Sequence, residues 1–273
     1  METPGDPQIS LCRSKISGTR EWAVAEINCC LGCPHGCRYC YARYDQVERR
    51  RLVAAEQWRH CRVLPEEVER NHPLYPGQVM FPAAHDIIPE NLEACSTVLS
   101  NLLTAGNRVL VVSKPQSECI EALCQRFAYA RDHILFRFTI TARDEDLLSF
   151  WEPHAPTYTE RLRCLVMAGD RGFATSVSVE PILDSTDVVA MVQELLPFIS
   201  HSIWLGKMNK IAERVVIESP QMAEMVARVE AGQADDQIVL IHKQLAHLPQ
   251  VRWKESIKSV VGLPLAEEVG LDR

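Results

Sequence analysis

Short apolar runs alternate with amphipathic helical patterns along most of this sequence. Two of the helical patterns end at a glycine, Gly106 and Gly169, as helices often do. The unit of one apolar run and one helical pattern repeats about every 30 residues, which is typical of βα units in a parallel sheet. The runs that predict strands are 22–28, 78–82, 107–112, 133–142, 174–183 and 201–209, and the helical patterns between them are 92–106, 116–131, 158–168 and 187–199.

The number of βα units limits the fold that this alternation can build. About six units are present, fewer than the eight of a closed (β/α)8 barrel, and no GxGxxG motif supports a dinucleotide-binding fold. Right-handed crossovers place the helices on one side of a curled sheet. The sequence therefore predicts an α/β fold, a partial (β/α)6 TIM-type barrel of parallel strands with helices outside. A flavodoxin-like open sheet is the alternative.

Composition and length limit the domain organisation and the cellular location that we expect for the chain. With 273 residues, 47% of them hydrophobic, it can bury a substantial core. We expect a lead-in with the first strand over 1–27, a barrel core over 28–215, and a C-terminal helical extension packed on the barrel over 216–273. The net charge of −7 argues against a broad electrostatic grip on nucleic acid. With no apolar run of membrane-spanning length and no visible export signal, we expect a cytoplasmic protein and no membrane partner.

Residues 28–44, NCCLGCPHGCRYCYARY, contain the densest cluster of cysteines in the chain. Cys33, Cys37 and Cys40 stand at x3 and x2 spacing among Gly32, Pro34 and Gly36, so the segment is a loop and not the interior of a helix or central strand. A loop of this kind can curl around a bound group and direct several thiolates inward. Thiolates are soft ligands that suit iron–sulfur clusters, zinc or Cu(I).

Three interpretations of this loop differ in what the thiols bind. A disulfide framework is disfavoured, because the 11 cysteines are odd in number and follow no signal peptide. Zinc would use the pairs Cys30-x2-Cys33 and Cys37-x2-Cys40, but only three residues separate them, where zinc modules leave about 12–20. Three closely spaced thiolates fit one [4Fe–4S] cluster whose fourth iron has no protein ligand. The spacing favours the cluster and leaves zinc as an alternative.

The string CPHGCRYC resembles the CxxxCxΦC signature of the radical S-adenosylmethionine (SAM) enzymes, in which Φ is aromatic and is here Tyr39. The longer GCPHGCRYCYAR is similar to the spore photoproduct lyase-like branch. The resemblance implies that Cys33, Cys37 and Cys40 hold three irons and that SAM chelates the fourth. It also implies that reductive cleavage of SAM gives a 5′-deoxyadenosyl radical, which abstracts hydrogen from a substrate that the sequence does not identify.

Further stretches extend the resemblance from about residue 28 to about residue 261. WEPHAPTYTERLRCL, VSVEPIL and VRWKESIKSVV, which begin at residues 151, 177 and 251, are similar to the same stretches in this branch. One difference stands out. The photoproduct lyases carry a hydrogen-donating cysteine just after the second strand, whereas this chain has MFPAAHD there. The difference argues against thymine-dimer lyase activity.

Polar residues follow most of the predicted strands, at the end where parallel α/β folds bind ligands. Lys114 has the charge to hold the SAM carboxylate, and its Ser-Lys-Pro turn resembles an element of the same branch. The resemblance implies that Ala84 and His85 position the SAM amino group and that Tyr39 packs near the adenine. Thr139 or Thr141 could bond the ribose. The SAM-contacting candidates are Tyr39, Ala84, His85, Lys114, Thr139, Thr141, Ser178 and Glu180.

Three functions compete on these observations. The first is a radical SAM enzyme with an unidentified substrate, for which the family expectation of an electron donor is a flavodoxin or ferredoxin. The second is a superfamily member that modifies nucleic acid, which an arginine-rich predicted helix over 43–62 favours and the net charge opposes. The third is a non-catalytic iron–sulfur or zinc module. Cys29 and Cys30 are interpreted as buried thiols or a radical relay. The absence of CxxC spacing among the five later cysteines predicts no second cluster.

Overall fold

A computed structural model describes residues 16–270, and its centre is a curled parallel sheet. Seven strands in the order β1-β4-β5-β6-β7-β8-β9 form a half-barrel in which every neighbouring pair is parallel. A separate antiparallel ribbon pairs β2 with β3. The strands are β1 Ala25–Glu26, β2 Cys30–Leu31, β3 Arg62–Val63, β4 Val79–Phe81, β5 Val109–Ser113, β6 Ile134–Thr139, β7 Ala174–Val179, β8 Ser202–Leu205 and β9 Val251–Trp253.

Helices surround this sheet. The α-helices are α1 Tyr41–Arg43, α2 Pro65–Val68, α3 Leu92–Thr104, α4 Ser117–Arg126, α5 Glu145–Trp151, α6 Tyr158–Asp170, α7 Val188–Leu195, α8 Ile211–Arg214, α9 Pro220–Gly232, α10 Asp235–Leu245 and α11 Glu255–Val261. A π-helix, Tyr44–Arg49, continues α1, and 3-10 helices span Gly18–Glu21, Ala55–Gln57, Pro89–Asn91, Ala128–His133 and Leu196–Phe198. No helix within residues 16–270 is long and apolar enough to cross a membrane.

The helices form where the apolar residues repeat at helical spacing. In α3 the buried side chains Cys95, Val98, Leu99 and Leu102 fall on one face, which packs against the sheet. Local capping sets several helix starts, as where Thr157 Oγ1 accepts the backbone N–H of Glu160 at the start of α6. The predicted pattern of apolar helical faces therefore corresponds to packing on the outside of the half-barrel.

The partial barrel is confirmed, and the strand order excludes the alternative. A flavodoxin-like sheet reverses its strand order near the middle, whereas here the order follows the sequence from one edge to the other. The sheet contains a seventh strand, β9, that the sequence did not predict. Three residues are too few to carry a periodic pattern. The proposed division at residues 27 and 215 stays a prediction, and its first 15 residues lie outside the described part of the chain.

The arginine-rich helix over 43–62 was predicted wrongly. The π-helix that continues α1 ends at Arg49, and Arg51 takes a left-handed φ of +52°. The chain then turns back towards the cysteine loop, with only the short 3-10 helix Ala55–Gln57 on the way. Trp58 is buried as expected, but Leu52 is exposed. The physical reason is tertiary, because the backbone of residues 58–63 bonds to the cysteine loop and to β2 instead of continuing the helix.

Candidate active site

One cavity of about 340 Å³ opens at the carboxyl ends of the parallel strands, and the cysteine loop forms part of its wall. The other walls come from the carboxyl-terminal ends of β4, β5, β6, β7 and β8, and from residues 17–20 and Trp22 before β1. Of the eleven predicted site residues, Thr141 alone does not line this cavity; it is buried and donates to Glu152 at 2.7 Å. The ten that line it are Cys33, Cys37, Tyr39, Cys40, Ala84, His85, Lys114, Thr139, Ser178 and Glu180.

The cysteine loop curls because two glycines and several backbone bonds hold it. Gly32 and Gly36 have φ values of +89° and +64°, which residues with a Cβ rarely adopt. On one side the Cys33 N–H donates to the carbonyl of Trp58 at 2.9 Å. On the other side the Arg38 N–H donates to the carbonyl of Trp151 at 2.9 Å. The loop is therefore held between the 58–63 segment and the end of α5.

The three loop thiols have the properties expected of ligands to a large group. Burial raises the pKa of Cys33, Cys37 and Cys40, so that each thiolate needs a cation beside it. The Arg43 N–H donates to the Cys40 sulfur at 3.3 Å, as donors commonly do at cluster sulfurs. Three soft thiolates on one loop are a donor set that fits an iron–sulfur cluster.

Asp86 organises the wall of the cavity next to the cysteine loop. Its carboxylate accepts from the Lys114 N–H at 2.6 Å, from Ser113 Oγ at 3.0 Å and from His35 Nδ1 at 2.8 Å. Burial would raise the pKa of Asp86, but the charge of Lys114 and the bond from His35 hold it well below its usual range. Asp86 therefore stays ionised and ties the cysteine loop to the start of the turn that carries Lys114.

Lys114 is a largely buried cation in the wall of the cavity, with 12% of its side chain exposed. Its Nζ lies 3.9 Å from Asp86 Oδ2 and 5.9 Å from the centre of the Tyr39 ring. Burial lowers the pKa of Lys114, but the neighbouring groups, with Cys37 first among them, raise it well above its ordinary value. The side chain therefore stays charged in the cavity wall, where it can attract an anionic ligand group.

A buried ion pair beneath Tyr39 was missed by the sequence reasoning. Glu152 is fully buried and accepts hydrogen bonds from the Tyr39 hydroxyl, from Thr141 and from the guanidinium of Arg161. Burial would raise the pKa of Glu152, but the charges of Arg161 and Lys114 lower it below its ordinary value. Both ionic residues lie in the WEPHAPTYTERLRCL stretch, so the resemblance was the signal that could have found them.

Two predicted residues have partners that bear on their roles. His85 Nδ1 donates to the Asp86 carbonyl at 3.1 Å and its Nε2 accepts from the Cys29 N–H at 3.3 Å, which uses both ring nitrogens in the neutral form. Burial lowers the pKa of His85. Glu180, which the sequence left without a partner, lies 3.6 Å from the buried Nζ of Lys254. Lys254 was not among the predicted site residues.

The half-barrel is shared with solved enzymes. Spore photoproduct lyase, as a cysteine-to-alanine variant with dinucleoside spore photoproduct, matches at TM-score 0.55 and 16% identity, over 84% of this chain and 75% of that chain. SuiB of Streptococcus suis, bound to precursor peptide SuiA, matches at TM-score 0.55 and 10% identity, over 87% of this chain and 50% of that chain. Both are radical SAM enzymes, and this chain has their fold. No protein-family model and no curated protein matches the sequence.

Proposed function

We propose that this chain is a radical SAM enzyme. The observation that carries the proposal is the convergence of three loop thiols, at the family's spacing, with a largely buried lysine on one cavity at the carboxyl ends of a radical SAM-type half-barrel. The residues present fit the cluster, because Cys33, Cys37 and Cys40 supply three soft ligands that line one cavity.

Cys33, Cys37 and Cys40 would hold the cluster. A reduced [4Fe–4S] cluster with bound SAM supplies an electron that cleaves SAM to methionine and the 5′-deoxyadenosyl radical. The protein's part is to shield and orient the reactants. Cys33 and Cys37 are at most 8% exposed, and Tyr39 behind them is held by Glu152, so the loop offers a fixed wall with little access for water.

The remaining lining residues would bind SAM. The cavity volume of about 340 Å³ falls in the range of about 300–1,000 Å³ for small-molecule sites. Lys114 would pair with the SAM carboxylate, and Ala84, whose N–H is fixed by Asn28 Oδ1 at 2.6 Å, would present its backbone to the amino group. Thr139 is favoured over Thr141 for the ribose, because Thr141 already donates to Glu152. Ser178 and Glu180 would complete the opposite wall.

Anaerobic reconstitution with iron and sulfide, followed by SAM and dithionite, tests the proposal. We expect about four irons per chain and formation of 5′-deoxyadenosine, both lost in Cys37→Ala. Cys164→Ala is the matched control, since Cys164 is equally a buried cysteine but contacts Ser117 away from the loop. A complete cluster that cleaves no SAM would overturn the enzyme proposal and favour a non-catalytic iron–sulfur module. Zinc bound by the triad in place of iron would favour a zinc module.

The substrate class stays open between the two chemistries of the structural neighbours. One neighbour is solved with a dinucleoside photoproduct and the other with a peptide. Nucleic acid is the alternative substrate here, although Arg49 and Arg50 already face Asp45 at 3.2 and 3.7 Å. Charge reversal of Arg49, Arg50 and Arg51 separates the cases. Loss of a salt-dependent affinity for DNA or RNA would support nucleic acid, and an unchanged affinity would exclude a role for these arginines.

The setting of the reaction follows from its chemistry. All ten cysteines within residues 16–270 are free thiols, which suits a reducing compartment. We propose a cytoplasmic enzyme that receives its electron from a flavodoxin or ferredoxin. The proposed C-terminal extension, 216–273, would belong to the same catalytic unit, because β9 pairs with β8 and Lys254 reaches the cavity wall at Glu180.

A further inference from the structure

A second group of thiols lies behind the cysteine loop, outside the set assigned to the cluster. We call Cys29, Cys30, Cys61 and Cys95 the rear thiols. Cys29 precedes β2, Cys30 lies in it, Cys61 directly precedes β3, and Cys95 lies on α3. The side chains of Cys29, Cys30 and Cys95 are at most 1% exposed. Four thiols from three segments of the chain therefore lie close together, although no CxxC spacing connects them.

The distances from the Cys29 sulfur to its three neighbours are in the range of a tetrahedral metal site. The Cys29 sulfur lies 3.8 Å from the Cys30 sulfur, 3.8 Å from the Cys95 sulfur and 3.9 Å from His85 Nε2. The ligand atoms of Cys29, Cys30 and His85 all lie within 4.8 Å of one another. An ion with Zn–S bonds of about 2.3 Å places its sulfur ligands about 3.8 Å apart. Cys29 is the hub of this arrangement.

The surroundings of these atoms resemble the outer shell of a metal site. His85 Nδ1 donates to the backbone carbonyl of Asp86, which fixes the ring, and Nε2 lies 3.9 Å from the Cys29 sulfur. Metal-bound histidines are commonly oriented in this way. Nε2 accepts the Cys29 backbone N–H at 3.3 Å, and a bound ion would replace that hydrogen bond. Asn91 Nδ2 donates both to the Cys61 sulfur at 3.4 Å and to the Asp86 carbonyl at 3.0 Å. The amide therefore holds the rear thiols and the His85 turn in one network.

We propose that Cys29, Cys30, Cys95 and His85 bind one Zn²⁺ in a closed structural site, separate from the three loop cysteines. Three thiolates and one imidazole are a common zinc ligand set, and four protein ligands leave no open position for chemistry. The Cys95 sulfur contacts Cys29 but is not within 4.8 Å of all three other ligands, so binding draws it inward by a rotation of its side chain. Binding releases three thiol protons to solvent.

Such a site would fix the base of the cysteine loop. Cys29 and Cys30 lead directly into the loop, His85 follows β4 on the cavity wall, and Cys95 anchors the set to α3. A shared ion would cross-link these three parts of the fold. The site's role is therefore to hold the loop against the end of β4 before any cofactor binds.

The test uses a chain in which Cys33, Cys37 and Cys40 are all replaced by alanine, so that the candidate cluster site cannot hold the metal. We expect about one zinc ion per chain after incubation with zinc and desalting, measured by elemental mass spectrometry. Cys29→Ser, Cys95→Ser or His85→Ala in this background should lower zinc content at least several-fold. Cys164→Ser should retain it, because that buried thiol lies outside the group.

X-ray absorption at the zinc edge tests the ligand set without further substitution. We expect three sulfurs at about 2.3 Å and one nitrogen at about 2.0–2.1 Å. A zinc shell of oxygen and nitrogen alone, absence of bound zinc, or zinc retained in Cys29→Ser would each overturn the proposal. Because these measurements need neither iron nor SAM, the outcome is independent of whether the chain cleaves SAM.

Discussion

At the scale of single residues, Glu152 supports the wall of the cavity. Its two carboxylate oxygens accept from Tyr39, Thr141 and Arg161, and both it and Arg161 are excluded from solvent. Arg161 in turn donates to the carbonyls of Pro156 and Thr139 at 2.8 and 3.2 Å. A buried charge is tolerated when its partners satisfy it, and removal of one partner leaves the other uncompensated.

We therefore expect Glu152→Gln to destabilise the fold by about 3–5 kcal/mol, because the amide leaves the Arg161 charge unpaired in the interior. Urea unfolding of the metal-free protein measures the change. Glu121→Gln is the control, since Glu121 pairs with Arg171 near the surface and should have a far smaller effect. Equal losses in the two variants would contradict the assigned role of Glu152.

The pH dependence of stability should reflect the ionised state of Glu152. Burial would raise the pKa of Glu152, but Arg161, Lys114 and two hydroxyl donors lower it below its ordinary value of 4.5. Its stabilising contribution is then complete above pH 4.5 and is lost as the pH falls towards the lower folded-state value. The difference in unfolding free energy between wild type and Glu152→Gln should shrink as the pH falls below 4.5. A difference that stays constant with pH would contradict the ionised state.

Lys114 is the residue whose charge the proposed ligand would use. Its replacement by glutamine should weaken SAM binding to the reconstituted protein about 10- to 100-fold, the usual contribution of a charge-assisted hydrogen bond. Isothermal titration calorimetry measures the affinity. Lys210→Gln, at an exposed lysine that pairs with Glu213, is the control and should bind SAM as the wild type does. Unchanged affinity in Lys114→Gln would remove the assigned carboxylate contact.

At the scale of elements, the cysteine loop depends on the segment that returns from the π-helix. The chain at residues 58–63 lies directly against Gly32, where a methyl group would be 2.4 Å from the carbonyl oxygen of His60 and 2.6 Å from that of Trp58. Neither oxygen belongs to a flexible side chain. The loop and this segment therefore fit together only when residue 32 has no Cβ.

Gly32→Ala should consequently cost about 1–3 kcal/mol more than Gly262→Ala. Both glycines have left-handed φ values, +89° and +73°, but nothing lies within 4 Å of the position of a Cβ at Gly262. The comparison separates the clash from the backbone strain common to both. Urea unfolding gives the stabilities, and iron content after reconstitution should fall for Gly32→Ala alone. Equal costs at the two glycines would show that the loop does not press on residues 58–60.

At the scale of the whole molecule, Lys254 connects the two edges of the half-barrel. The edge strands are β1 and β9, and Lys254 follows β9 directly. Its Nζ donates to the Gly18 carbonyl at 2.5 Å, pairs with Glu21 at 2.6 Å and lies 3.9 Å from the centre of the Trp22 ring. Residues 18–22 precede β1, so one buried cation joins the beginning of the described chain to its last strand.

Lys254→Met should destabilise the protein by about 3–5 kcal/mol, because Glu21 would be left buried without its cation. The expected loss is much larger than that of a surface substitution. Lys210→Met is therefore the control and should change stability little. Thermal and urea unfolding measure both. If Lys254→Met is as stable as the control, the link between the two edges contributes nothing to the fold.

The sequence by itself determined the features that depend on neighbouring residues. The spacing of Cys33, Cys37 and Cys40 predicted their shared loop, and the alternation of apolar runs with helical patterns predicted the parallel half-barrel. Both signals can be read from residues that are near one another in the chain. Ligands in parallel α/β folds bind at the carboxyl ends of strands, and this rule predicted that residues as distant in sequence as Lys114 and Glu180 line one cavity. What each of them contacts there stays a prediction for the bound state.

Only the tertiary structure decided the contacts between distant segments. The pairing of Glu152 with Arg161 beneath Tyr39, the link from Lys254 to Glu21 and the meeting of the rear thiols join side chains that no local pattern relates. The strand β9 is likewise too short to show a period. Such contacts form because buried polar and sulfur atoms need hydrogen-bond or ionic partners, which here come from separate elements. Which atoms become partners is decided only when the half-barrel folds and buries them together.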